Sequence, residues 1–369
     1  VGSRGVVNID TIVRATVAHC QALGARPFII PAMGSHGGGT AAGQQSVLEH
    51  YGVTEAAMGC PIRATMDVVQ VGEVLGLPVW LDRYAAEADW IGVINRVKPH
   101  TGFTGEIGSG LFKMMTIGMG KHRGAVQAHR ANIRLGYETM ITALGRAMLR
   151  CTRIAFGLGI VENGYDETAL VRALLPADLE AGERELLRQA RAWMARLPVD
   201  RIDLLIVDQM GKEISGSGMD TNVIGRHATF FERPFTSPRI TFIAVGDLTP
   251  NTHGNATGLG NADFTTRRLM EQVDWESTYV NALTACSPGG GKRPVVLDTA
   301  REAVAAALAC LGLDRVEDAR VVRIPNTLRL GEVEVSEALL PELAGRDDLT
   351  PVGDSAPLAF VPDGSLPPF

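Results

Sequence analysis

The sequence lacks any run of the roughly 20 consecutive apolar residues that a membrane-spanning helix needs. Its longest apolar stretches, such as LLIV at 204–207, have the length of buried strands. It also lacks a basic block. The net charge is −6, the basic residues are scattered, and KHR at 121–123 and TRR at 266–268 are too short for an arm or a targeting patch. Neither a membrane nor a nucleic acid is therefore an expected partner. The five cysteines (20, 60, 151, 286 and 310) are odd in number and form no CxxC pair. That pattern suits reduced core thiols in the cytoplasm better than a disulfide framework. There is no repeat of fixed period. The chain starts at Val1 without a methionine, so a few residues are expected to precede it, with a removed leader left open.

Glycine, by contrast, is plentiful. There are 42, with concentrations at 34–43, 102–124, 211–218 and 254–260, as in loops whose bare backbone approaches a ligand. Between these loops, apolar runs alternate with helical spacing. FII at 28–30, residues 61–65, 77–81, DWIGVIN at 89–95 and RIAFGLGIV at 153–161 read as strands. Helices are expected over 41–50, about 122–150 and 178–196. RIDLLIVD at 201–208 starts a second series, with strands at 203–208, 239–246, 294–298 and 319–325 and a helix at 299–312. These imply an α/β protein of two domains, 1–200 and 201–369, with mostly parallel sheets. The loops at 31–40, 98–113, 209–222 and 247–260 each follow a strand, the usual ligand position, and are expected to meet in an interdomain cleft.

Two histidines sit where strands end amid glycines. His36 lies in PAMGSHGGG and His100 in VKPHTG. A pair of general acid/base groups would be placed this way, although each alone could be a solvated turn residue. Lys113, in GSGLFKMM, has apolar neighbours that would desolvate its ammonium and free the amine as a nucleophile; a lysine can also snorkel outward. His129 follows 16 residues later on the apolar face of a helix, where an isolated histidine is more often a core residue than a ligand. His122, on the same face, is its rival.

Together, VKPHTGFTGEIGSGLFK, AVQAHR and MGSH resemble the lactate racemase family, the racemases and epimerases of 2-hydroxy acids that use a nickel-pincer nucleotide. The resemblance covers about 1–165 and is architectural beyond about 200. It departs in one interval, since His100 and Lys113 lie about three residues further apart than in the family. The resemblance implies that Lys113 anchors a pyridinium-derived cofactor covalently and that His129 ligates its nickel. It implies His36 and His100 as the acid/base pair. Arg4, in GSRG, would contact cofactor or substrate, and Gly105, Gly108 and Gly110 would let a flat cofactor lie against the backbone. Cofactor-synthesis and insertion proteins are implied partners, with homo-oligomers left open.

The substrate-clamping residues of the family have no clear match in the second half. Lys212, Asn222 and Arg226, in a glycine-rich loop after a strand, are the candidates for holding a carboxylate. The many polar donors there suit a polyhydroxylated or doubly charged acid more than plain lactate. Other readings remain. GMGKHRG at 118–124 has spacing for a dinucleotide-binding turn, hence an NAD(P)-dependent dehydrogenase. A nickel or nucleotide carrier without turnover would need no acid/base pair. An ordinary zinc site would leave Lys113 unexplained.

Overall fold

The computed structural model describes residues 1–2, 5–228 and 234–369. Two compact units divide it, Val1–Met194 and Ala195–Phe369.

In the first unit, Ile9, Val13 and Val17 recur every fourth residue and bury one face of helix α1 (Ile9–Ala22). Ile29 then makes a single parallel bridge with Ile62, so the strands expected at 28–30 and 61–65 are reduced to one pair. Thr40 accepts the Gly43 N–H and starts α2 (Ala41–His50); α3 (Glu55–Met58) is capped likewise by Thr54. Strands β1 (Val68–Val74) and β2 (Leu77–Asp82) form an antiparallel hairpin. Its turn residues, Leu75 and Gly76, both have positive φ, the conformation that matches the twist of paired strands. Asp82 caps α4 (Arg83–Glu87), and β3 (Ile91–Arg96) follows.

The next elements are helical: α5 (Leu111–Lys113), a π-helical turn over Met114–Gly118, α6 (Lys121–Leu135) and α7 (Tyr137–Cys151). The long helix expected over 122–150 is thus two, broken at Gly136, whose φ of 73° leaves the helical region. Strands β4 (Ile154–Glu162) and β5 (Thr168–Leu174) and helix α8 (Leu179–Trp193) complete the unit. β4 pairs parallel with β3 but antiparallel with β5, so this sheet is mixed. Phe112, Met115, Met140, Ile141, Met148 and Leu186 lie fully buried between α5, α7 and α8. Gly145 of α7 has no room for a methyl group, because the Phe112 ring lies against it. Burying such a ring contributes about 2–3 kcal/mol.

The second unit has one six-stranded sheet. Along the chain run β6 (Arg201–Met210), α9 (Thr221–Ile224), β7 (Arg239–Leu248), β8 (Phe264–Thr266), α10 (Arg267–Glu271), α11 (Trp275–Thr284) and β9 (Val295–Leu297). Helix α12 (Ala300–Cys310), with a Thr299/Glu302 capping box, leads to β10 (Val321–Ile324) and β11 (Glu334–Val335). The strand order is β11-β10-β6-β7-β8-β9, and only the β10–β11 pair is antiparallel. On β6, Leu204 and Ile206 enter one core layer while Leu205 and Val207 enter the other. Burial on both faces explains why this strand reads as an unbroken apolar run.

Candidate active site

Lys113 ends α5. Phe112 and Met115, both fully buried, pin the backbone on either side of it. The ammonium is within 3.2 Å of the Ser109 hydroxyl. Burial, and secondarily the charge of Lys98, brings its pKa down to about 8. The chain then widens into the π turn Met114–Gly118. Thr116 fills this turn from inside, donating its hydroxyl to the Phe112 carbonyl at 2.8 Å and the Lys113 carbonyl at 3.4 Å. Single π turns of this kind are frequent at functional sites.

His100 follows β3 after Val97, Lys98 and Pro99. Lys98 and Ser109 exchange both backbone hydrogen bonds (3.1 and 2.9 Å), which folds the intervening loop back toward Lys113. The Gly102 N–H donates to His100 Nδ1 at 3.0 Å, so the neutral ring carries its proton on Nε2. The imidazole packs on Phe103 and Tyr137, with ring centroids at 4.5 and 4.7 Å. Burial, reinforced by Lys113, His129 and Lys98, holds it well below the ordinary histidine range. On α6, His129 is likewise lowered, by burial and then by Lys113, whereas His122 is exposed. Lys113 and His129 thus act electrostatically on His100, and Lys113 on His129.

His36 sits on a separate loop and is half-buried. The Gly34 N–H donates to the Gly118 carbonyl at 3.1 Å, seating this loop on the π turn that follows Lys113. Gly34 has a φ of 60° and faces the Ile117 side chain at 3.2 Å from where its Cβ would be, so both backbone conformation and space require glycine.

Three residues join this group that the motifs did not single out. Lys98 charges the surroundings of both His100 and Lys113. Tyr137 stacks on Phe103 at 4.1 Å, and its hydroxyl is buried without a hydrogen-bond partner. Burial and the nearby Glu183 push that hydroxyl's pKa up. Glu183 is fully buried on α8. Its Oε2 accepts the Phe112 N–H at 2.8 Å, its Oε1 has no partner, and burial pushes the carboxyl up to about 8. Two signals in the sequence point to these residues. The chain has only five lysines, and three fall within 98–121. Glu183 shares the helical spacing of Leu179, Leu186, Leu187 and Ala190, which places it on the buried face.

The remaining candidates divide. A Cβ on Gly105 would overlap the Glu138 carboxyl, on Gly108 the Lys98 carbonyl and Leu187, and on Gly110 the Glu183 carboxyl. Protein atoms fill those spaces, so each glycine has a packing reason independent of any cofactor. Arg4 lies outside the described residues. In the second unit, Lys212 donates to the Gly216 carbonyl and to Asn281 Oδ1, both at 2.6 Å, beside Asn255 and Thr257. Asn222 donates to Asp220, the cap of α9. Arg226 is committed to structure: its guanidinium binds Asp263 at 2.7 Å and the carbonyls of Asn261, Ile240 and Thr241. The GMGKHRG glycines follow α5 and the π turn, not a strand, and a Cβ on Gly118 or Gly120 would strike backbone carbonyls. The strand–turn–helix setting of a dinucleotide-binding loop is therefore missing.

No protein-family model matches the chain, and no curated protein sequence does. Its fold is similar to the solved structure of the lactate racemase apoprotein from Thermoanaerobacterium thermosaccharolyticum, with a TM-score of 0.51. That likeness spans 86% of this chain and 82% of the other at 12% sequence identity, a level that speaks for the fold.

Proposed function

We propose that the protein is a racemase or epimerase acting at C2 of a 2-hydroxy acid with a nickel-pincer nucleotide. The observation that carries this reading is a lysine amine at about 8 within electrostatic reach of two imidazoles held below their ordinary range. An amine is available for a covalent bond only when unprotonated, and an imidazole for a metal only when neutral. The donor set fits such a group. Among the described residues, no three His, Cys, Asp or Glu side chains lie together as metal ligands. A metal on His129 would need its other ligands from elsewhere, as one carried in an organic pincer has, whereas an ordinary zinc centre takes at least three from the protein.

In this reading Lys113 holds the cofactor covalently and His129 gives its imidazole to the nickel. When bound, the group supplies the hydride acceptor for C2. The chain's own residues handle the hydroxyl proton. His36 and His100 take it and return it, their roles interchanging between the two enantiomers, and each transfer contributes roughly a hundred- to ten-thousand-fold. In the tautomer set by the Gly102 contact, His100 donates Nε2–H to a substrate oxygen; to take the proton at Nε2 it must first release Gly102 and carry its own proton on Nδ1. Lys212 is the candidate in the second unit for the carboxylate, and its polar neighbours Asn255, Thr257 and Asn281 favour a polyhydroxylated or doubly charged acid.

Two experiments test this. Substrate deuterated at C2 should keep its label during racemisation by the loaded enzyme; washout into solvent would mean proton abstraction at carbon and end the reading. Intact mass of loaded protein should show an adduct that Lys113→Ala removes. His129→Ala should reduce nickel retention far more than His122→Ala, and the opposite ranking would move the ligand to His122.

A further inference from the structure

Behind the His36 loop lies a buried ion pair that this mechanism does not use. Lys121 and Asp82 are both fully buried, with Nζ and Oδ2 3.0 Å apart. The ammonium also donates to Gln44 Oε1 at 3.2 Å and to the carbonyl of Pro31, the residue that opens the PAMGSH loop. Gln44, itself fully buried, then has only its NH2 left for the other side. It gives one hydrogen bond to the Gly34 carbonyl at 2.8 Å and one to the His36 carbonyl at 3.3 Å.

An ammonium has no lone pair, so Gln44 can present only its oxygen to Lys121. Flipping the amide would set NH2 against the ammonium and oxygen against two carbonyl oxygens. One orientation survives, and it grips the backbone of His36 itself. Stability alone is a poor reason for such an arrangement. Buried ion pairs are often no better than apolar residues of the same volume. Lys121 also adopts a φ of 54°, a left-handed conformation that is unfavourable for a residue with a side chain. What apolar residues could not supply is the oriented amide. Lys121 is moreover the first residue of α6, the helix that carries His129. The network therefore joins the His36 loop to the helix of the metal-ligand candidate.

We propose that Gln44, oriented by Lys121 and Asp82, is a positioning residue that fixes His36 relative to α6. The proposal rests on the acid/base role given to His36 above. The test is NMR of apoprotein labelled at histidine 13Cε1, which has eight signals to assign. In Gln44→Met, the His36 signal should shift or broaden while those of His100 and His129 stay in place. The double variant Lys121→Met with Asp82→Leu removes the pair without leaving a lone buried charge, and should move the same signal. In loaded enzyme, Gln44→Met should lower kcat on the order of tenfold or more with KM nearly unchanged, because misplacement of a proton-transfer group acts on the chemical step. A His36 signal at its wild-type position in either folded variant overturns the proposal, as does failure of both variants to fold, which would assign the network to the core. The NMR measurement needs no turnover, so a loaded wild-type protein without racemase activity would refute the proposed function and leave this inference to be decided on its own.

Discussion

Replacing Lys98 by methionine removes a positive charge that acts on Lys113 and nearly keeps the length of the side chain. Two causes lower the Lys113 amine from 10.5 to about 8, burial first and Lys98 second. Lys98 is the smaller of the two causes, so its removal should raise Lys113 while burial still holds it below the ordinary lysine value. At pH 7 about one Lys113 in ten is unprotonated, against on the order of one in three thousand for an ordinary lysine. The variant should lose part of that advantage and keep the part due to burial. Lysine 13Cε NMR of the apoprotein can follow this directly, since the chain has five lysines and each signal can be assigned by one substitution. His100 should rise as well, because Lys98 is the third charge holding it down. A Lys113 midpoint that ignores the Lys98→Met change, or one near 10.5 in the unaltered protein, would refute the electrostatic account of the site.

Glu183 should make stability depend on pH in the opposite sense to a paired carboxylate. Its folded value of about 8 lies above its ordinary 4.5, so the folded state holds the extra proton between them, and stability falls as pH rises through that window. Glu183→Gln should flatten the Tm profile between pH 5 and 8, with a difference on the order of a few kcal/mol by pH 8; parallel profiles would show that Glu183 titrates normally. Arg226→Met should lower stability by about 2–4 kcal/mol, since Asp263 and three carbonyls lose their donor, and leave KM unchanged. A raised KM at unchanged Tm would return Arg226 to the substrate.

The second unit was the easier to read, because strands buried on both faces, such as β6, appear as solid apolar runs. The first unit was harder. β5 is largely exposed and lies at an edge, so neither its apolar content nor its alternation marked it, and the antiparallel pairing it makes went unseen. Gly136 alone separates α6 from α7, and the apolar period runs on across it. At the site, His36, His100, Lys113 and His129 carry visible local signals, namely glycines, strand ends and apolar brackets. Glu183, Tyr137 and Gln44 do not, because what qualifies them is a partner distant in the chain: Phe112 for Glu183, Phe103 for Tyr137 and Lys121 for Gln44. Lys121 is the plainest lesson. KHR looks like a solvated basic run, yet its first residue is fully buried, and the scarcity of lysine elsewhere was the available clue.

The π turn at Met114–Gly118 makes chain length a constrained quantity in this segment. Five residues close it where an α-helix would use four. Deleting one would leave an ordinary helix, with no local penalty in propensity, but would rotate everything before it by about 100° relative to α6. Lys113 would then leave the face from which its charge acts on His129. The stretch before it is of a different kind, because Thr104 and Glu106 are exposed and lie outside any helix, so residues added beside them disturb no helical phase. Insertions can accumulate between His100 and Lys113, and the interval from Lys113 to His129 behaves as a ruler whose graduations include one deliberate extra residue.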